Sequence, residues 1–217
     1  MKEYLLTRFW IPNWIPQSGN NFFSGWNFFT GSDPTNGVVQ YVDQGTAVRM
    51  LPFAIKTTSR DSIPQQSSGL ISINSAGNAV MRVDTTPQVS GNRPSVRIQT
   101  QFSFTGGLVI LDSVHMPTGC GTWPAFWTNG PNWPTTGEID IVEGVNNYTN
   151  NQVTIHSTVG CSLPSNASSL DISGSLVSGT NCAVQQTNNE GCGVRAQQTN
   201  SFGAPFNANG GGVFASE

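Results

Sequence analysis

Three carboxylates crowd one short run of the chain, Gly137-Glu138-Ile139-Asp140-Ile141-Val142-Glu143-Gly144. They are three of only twelve acidic residues, and they sit among β-branched residues that favour a strand. Paired carboxylates at close range can cleave a glycosidic bond, one acting as nucleophile or base while the other protonates the leaving oxygen. On a regular strand side chains alternate, so Glu138 and Asp140 share a face and Glu143 points the other way. One extra residue in a β-bulge near Ile141-Val142 reverses that parity and returns Glu143 to the same side. With the bulge discounted, four steps of ~3.3 Å put the two Glu Cα atoms roughly 13 Å apart. Side chains reaching inward from a concave sheet then bring the carboxyls to roughly 5 Å. That suits a retaining enzyme, at about 5–5.5 Å, better than an inverting one, at about 6.5–9.5 Å. Asp140, shorter and between them, can share a proton with one Glu and push the two pKa values apart. Acids that merely solvate the outer face of a strand would read the same over this run, so its neighbours matter.

Just upstream lie Cys120-Gly121-Thr122-Trp123-Pro124-Ala125-Phe126-Trp127 and Gly130-Pro131-Asn132-Trp133-Pro134. Rings beside carboxylates in an uncharged cleft hold sugars, whose C–H faces stack on them while hydroxyls find amides and acids. Any single Trp is more often core than cleft, yet two of Trp123, Trp127 and Trp133 are expected to touch ligand. His156 reads either as a structural hydrogen-bonder at a strand end or as a cleft residue; His115 reads as structural. His156 has no His or Cys at ligand spacing, so no metal site is expected. Gly210-Gly211-Gly212 lacks the Lys and Ser/Thr of a phosphate-cradling loop, and no cofactor is expected.

The elements that must carry these residues are short strands. Val38–Val42, Leu70–Ile73, Ala79–Val83, Ser95–Thr100, Gly107–Leu111, Glu138–Glu143, Gln152–His156 and Val213–Ser216 all have strand character, with Gly, Pro, Asn and Asp clusters between them. No window carries an apolar helical stripe over three turns. The reading is all-β, a sandwich or barrel. Ser162 to Asn209, rich in Ser, Thr, Asn, Gln and Gly, reads as long loops tied down by disulfides. Val48–Gln65 holds three of the nine basic residues and two prolines without strand alternation, and reads as an atypical insertion lying outside the sandwich.

Composition narrows the function classes. The 217 residues suit one sizeable domain; charged residues are 10% against a usual share of roughly 25%, and the net charge is -3. A nucleic-acid binder needs a basic face, and a helical bundle needs abundant Glu and Lys. No apolar run approaches the ~18 residues of a membrane span. Arg8, Pro12 and Asn13 break any apolar core of a signal peptide in Met1–Pro16. Cys120, Cys161, Cys182 and Cys192 are too far apart for a zinc pattern and favour disulfides in an oxidising, extracellular setting. Sequons at Asn147 and Asn166 point the same way.

The Trp-Pro-Ala-Phe-Trp run followed by Gly-Glu-Ile-Asp-Ile-Val-Glu-Gly resembles the signature of family 16 glycoside hydrolases, in their laminarinase-type branch. Fungal endo-β-1,3(4)-glucanases are similar across Phe22–Phe29, Asp33-Pro34-Thr35-Asn36-Gly37, Arg93-Pro94-Ser95-Val96-Arg97 and Val153–His156. The resemblance implies a curved antiparallel β-sandwich of jelly-roll type with a concave cleft. It implies retaining endo-hydrolysis of β-1,3- or mixed β-1,3/1,4-glucan, with Glu138 as nucleophile, Glu143 as acid/base and Asp140 as their helper. Substrate contacts would come from Arg97, Trp123, Trp127, Trp133, His156, Asn36 and Glu217. The expected partner is a β-glucan polysaccharide, with no nucleic acid and no membrane, the protein a monomer outside the cell or in the wall. Against the family's pattern, residues 1–18 form a divergent segment before a catalytic domain at 19–217, and the insertion stands at 48–65. Further strands would follow Glu217, so the sandwich is expected to be incomplete at its C-terminal end. With those strands missing, one disulfide is expected among Cys161, Cys182 and Cys192, Cys120 being free or paired beyond the chain. The alternatives are a transglycosylase of the same family and an inactive glucan-binding fragment.

Overall fold

The computed structural model describes residues 3–10, 18–48, 68–166, 169–177 and 179–217. Strands dominate these residues, as a turn-rich, helix-poor composition requires. The chain divides into two compact units, Lys2 to Val114 and His115 to Ser216.

The N-terminal unit contains β1 (Glu3–Trp10), a 3-10 turn at Gly19–Gly25, β2 (Trp26–Phe28), β3 (Val39–Tyr41) and a one-turn helix α1 (Gln44–Ala47). Then come β4 (Ile71–Ile73), β5 (Ala79–Arg82), β6 (Arg93–Ser95), β7 (Ile98–Thr100) and β8 (Val109–His115). Its main sheet runs in the order β8-β1-β5-β4. Phe22, Leu70, Ile71, Val80, Val109 and Leu111 are buried in the unit's core. Burial alternates along β8, with Val109, Leu111 and Ser113 inside, as one covered face of a sheet demands. The pairs β2–β7 and β4–β5 are antiparallel and β3–β6 is parallel. Asp43 caps α1 by accepting the Thr46 N–H at 2.7 Å.

The strands expected in this half appear as β3, β4, β5, β6 with β7, and β8. The N-terminal run set apart as divergent contributes β1, paired with β5 from Glu3↔Arg82 to Leu6↔Ala79. Of the expected insertion at 48–65, only Val48 is described, in a parallel bridge to Ile71; residues 49–65 lie outside the described residues.

The C-terminal unit carries β9 (Ala125–Asn129), β10 (Glu138–Glu143), β11 (Gln152–His156), β12 (Ser175–Val177), β13 (Cys192–Arg195), helix α2 (Gly203–Ala208) and β14 (Gly212–Ser216). Its sheet runs β12-β13-β11-β10-β9, every neighbouring pair antiparallel. This corrects the reading of Ser162–Asn209 as long loops, since β12, β13 and α2 lie inside it. Pairing with β11 makes a strand of Cys192–Arg195, where residue propensity alone is weak. The disulfide Cys182–Cys192, with Cα atoms 4.5 Å apart, ties that strand to the segment before it. Cys120 and Cys161 are exposed free thiols, so the single bridge falls among the three cysteines expected to supply it. Met116, Val142, Phe202 and Phe206 are buried in this unit's core. The Asn207 carboxamide accepts the Met116 N–H and donates to the Met116 carbonyl, both at 2.9 Å.

Candidate active site

The geometry of the site begins with a count along β10. Against β11, the pair Asp140↔Thr154 is followed by Glu143↔Gln152, three residues on one strand for two on the other. Against β9, Asp140↔Trp127 is followed by Val142↔Phe126, two for one. One extra residue at Ile141 therefore sits in β10 relative to both neighbours, the bulge that the spacing of the acids requires. Ile141 and Val142 are consecutively buried, and Glu138, Asp140 and Glu143 share a face. Residues paired across a ladder stand on the same side. That face is flanked by Asn129 and Trp127 of β9 and by His156, Thr154 and Gln152 of β11.

Each acid has its own partner. The Trp123 indole Nε1 donates to Glu143 Oε1 at 2.8 Å. Glu138 feels the charges of Asp140 and His156 and the Trp133 indole. His156 Nε2 stands 3.2 Å from Asp140 Oδ2, and the Asp140 side chain is almost wholly buried. Burial, then the charge of Asp140, pushes Glu138 up to about 7, against smaller lowering by His156 and Trp133. Glu143 is held above the ordinary carboxylate range by burial and by Asp140, with the Trp123 hydrogen bond pulling the other way. Burial alone would lower His156, but contact with Asp140 and the charges of all three acids hold it above its usual value. The arrangement can retain a proton near neutral pH and move it between two faces of one bond.

Trp123 and Trp133 are 57% and 45% exposed, open enough to stack on a sugar while the Trp123 N–H holds Glu143. Trp127 is half-buried on β9 opposite Asp140. The structure thus gathers Glu138, Asp140, Glu143, Trp123, Trp127, Trp133 and His156. Arg97 and Asn36 belong to the N-terminal unit. Arg97 lies 4.7 Å over the Phe29 ring and bonds Tyr41. Asn36 has φ 59 at the tip of a loop wrapped on Asp33, whose carboxylate accepts the Gly37 N–H at 2.8 Å. Glu217 follows β14 and is exposed. The N-terminal unit's cavities, about 220 Å³ beside Asp84 and about 600 Å³ beside Asp33 and Tyr41, contain none of the three clustered acids.

Sequence reasoning missed Gln152, Thr154, Arg195 and Asn151. Counting in twos back from His156 would have placed Thr154 and Gln152 on the site face. Arg195 pairs with Gln152 from β13, donates to its side chain at 2.6 Å and lies 4.2 Å over the Tyr148 ring, a position only the strand order reveals. Among the described residues, no group of three or more His, Cys, Asp or Glu is arranged to hold a metal ion, and no helix is long and apolar enough to cross a membrane.

Comparison with known proteins identifies the family. A family model described as "XgeA-like, catalytic GH16 domain" matches residues 26–217. The chain is 45% identical over 202 residues to a probable glycosidase of Schizosaccharomyces pombe, covering 90% of this chain and 42% of that protein. It is 40% identical over 220 residues to a probable endo-1,3(4)-beta-glucanase of Aspergillus clavatus, covering 100% of this chain and 30% of the relative. Among solved structures, a mutant laminarinase 16A superposes with TM-score 0.76 at 34% identity, covering 99% of this chain and 63% of the other. An elongating family 16 beta-1,3-glucosyltransferase superposes with TM-score 0.73 at 35% identity, covering 98% and 62%. The chain thus spans less than half the length of these curated relatives and under two thirds of the solved chains. Its fold class is the all-β jelly-roll sandwich of the laminarinases. With the matched region running from Trp26 through the acid-bearing strand to Glu217, the chain belongs to the XgeA-like catalytic domain family of glycoside hydrolase family 16.

Proposed function

We propose that this chain carries the acid-bearing part of the catalytic domain of a retaining endo-hydrolase of β-1,3- or mixed β-1,3/1,4-glucan. Glu138 attacks the anomeric carbon while Glu143 protonates the departing glycosidic oxygen, giving a glycosyl ester on Glu138. Glu143 then takes a proton from water, whose oxygen displaces Glu138 and restores the starting configuration. Asp140 shares a proton with Glu138 and is itself steadied by His156. Trp123, Trp127 and Trp133 offer ring faces to the glucosyl units. By resemblance Arg97, Asn36 and Glu217 contact the substrate. The bulge at Ile141, which sets three carboxylates on one face with an indole N–H on Glu143, carries this reading. The names of the curated fungal relatives support it.

The test is reducing-sugar release from laminarin and barley glucan by the purified chain. Glu138→Gln and Glu143→Gln should each lower it by several orders of magnitude, and azide should partly restore the Glu138→Gly form. Near-normal rates in both Gln variants would sink the assignment. A glucan-binding fragment would retain laminarin without releasing sugar.

A second reading, glucosyl transfer at the same site, is favoured by one solved relative described as an elongating glucosyltransferase, and a mutant of another is described as cyclizing laminariheptaose. A sugar hydroxyl would replace water in the second step. Laminarin with an added acceptor oligosaccharide separates the two, since transfer lengthens the acceptor and hydrolysis does not. The β-glucan partner places the protein outside the cell or in the wall, and it acts as a monomer.

A further inference from the structure

The bulge that collects the acids also breaks the ladder beside one of them. Ile141 and Val142 together oppose a single residue of β11, so backbone groups on that edge lose their regular partners, and both residues are buried. Buried peptide groups left unbonded are costly, so something must replace the ladder. Asn151, next to β11 and 6% exposed, does so with one side chain. Its Oδ1 accepts the Glu143 N–H at 3.0 Å and its Nδ2 donates to the Ile141 carbonyl at 2.9 Å. An N–H can only donate and a carbonyl can only accept, so these partners fix which way the amide points. The clamp is itself clamped. The Asn151 N–H donates to Ser201 Oγ at 2.9 Å, its carbonyl accepts the Ala196 N–H at 2.9 Å, and Ser201 Oγ donates to the Gln198 carbonyl at 2.7 Å.

We infer that Asn151 is a positioning residue for Glu143, its carboxamide standing in for the peptide that the bulge displaces and so setting where the proton donor stands. This rests on the reading of Glu143 as acid/base. Asparagine suits the task because it carries a peptide-like donor and acceptor on a short stem. Asp offers no donor to Ile141, Leu offers neither group, and Gln places the amide one methylene too far out.

The experiment compares kcat/KM on laminarin with kcat/KM on a dinitrophenyl β-laminarioligosaccharide, whose leaving group departs without protonation. Asn151→Ala should lower kcat/KM on laminarin by ~10–100-fold and on the dinitrophenyl substrate by under about 3-fold, the signature of a displaced acid with an intact nucleophile. Equal losses on both substrates would make Asn151 merely structural, and no loss on either would remove it from the mechanism; each overturns the inference. Should Asn151→Ala fail to fold, Asn151→Asp keeps the acceptor for Glu143 and adds a negative charge beside it. The alkaline limb of kcat/KM on laminarin should then move to higher pH, and a limb coincident with wild type overturns the inference. If wild type releases sugar from neither substrate, the acid/base reading itself falls and takes this inference with it. If wild type is active and Glu143→Gln spares the dinitrophenyl substrate, failure belongs to Asn151 alone.

Discussion

Glu138 is held at about 7, against an ordinary value of 4.5, so between those limits the folded chain keeps a proton that the unfolded chain has released. Stability therefore falls as pH rises through this window, and the loss is complete above the folded value. Glu138→Gln has no such titration. Its Tm should match wild type near pH 4 and exceed it near pH 8, and a gain of equal size at both pH values would contradict the argument. Burial comes first among the causes, and the charge of Asp140 comes next. Asp140→Asn removes the repulsion, so the acid limb of kcat/KM should move to lower pH while the rate at its plateau falls. An unmoved limb would mean that Asp140 does not set the protonation of its neighbour. The acids themselves were legible from spacing, because parity on a strand is arithmetic. Asn151 was not, because an amide in an Asn-rich turn gains meaning only once a bulge leaves two peptide groups beside it.

Between residues and fold, the elements show how far local sequence reaches. Runs of β-branched residues such as Glu138–Glu143 and Gln152–His156 announce their strands. Ser175–Val177 and Cys192–Arg195 do not, since they become strands by pairing outward from β11. The Cys182–Cys192 bridge fastens that outer edge across a sequence separation of 10. Replacing both cysteines by Ser should cost about 2–3 kcal/mol by loop-closure entropy, read as a lower denaturant midpoint. Alkylation without reduction should label Cys120 and Cys161 only. The turn after β10 is equally exacting. A Cβ on Gly144 would meet the Phe202 ring at 2.7 Å, and Phe202 is wholly buried. Gly144→Ala should destabilise by about 1–3 kcal/mol, measured by urea unfolding with an unchanged m-value. An Ala variant as stable as wild type would mean that Phe202 has room to move.

For the whole molecule, charge is the property that composition fixed most firmly. With 10% charged residues and a net charge of -3, little long-range field acts on a neutral polysaccharide. KM for laminarin should accordingly stay within about 2-fold from low salt to about 0.5 M NaCl, where exposed charges are screened. A steep salt dependence would point to an ionic partner instead. The all-β class was equally legible, from turns and short strands. The first strand was not, because Met1–Gln17 matches no pattern expected there, and β1 is recognised by its place between β8 and β5.

The bulge in β10 has a hereditary side. A ladder counts in whole residues, so the face on which Glu143 stands is inherited as a number. Loss of the single codon for Ile141 would keep both glutamates and both indoles, yet turn Glu143, the acid/base of the proposed mechanism, to the opposite side of the sheet. A motif search that asks only for the acids would pass over the change, whereas the distance between them, five positions or four, records it.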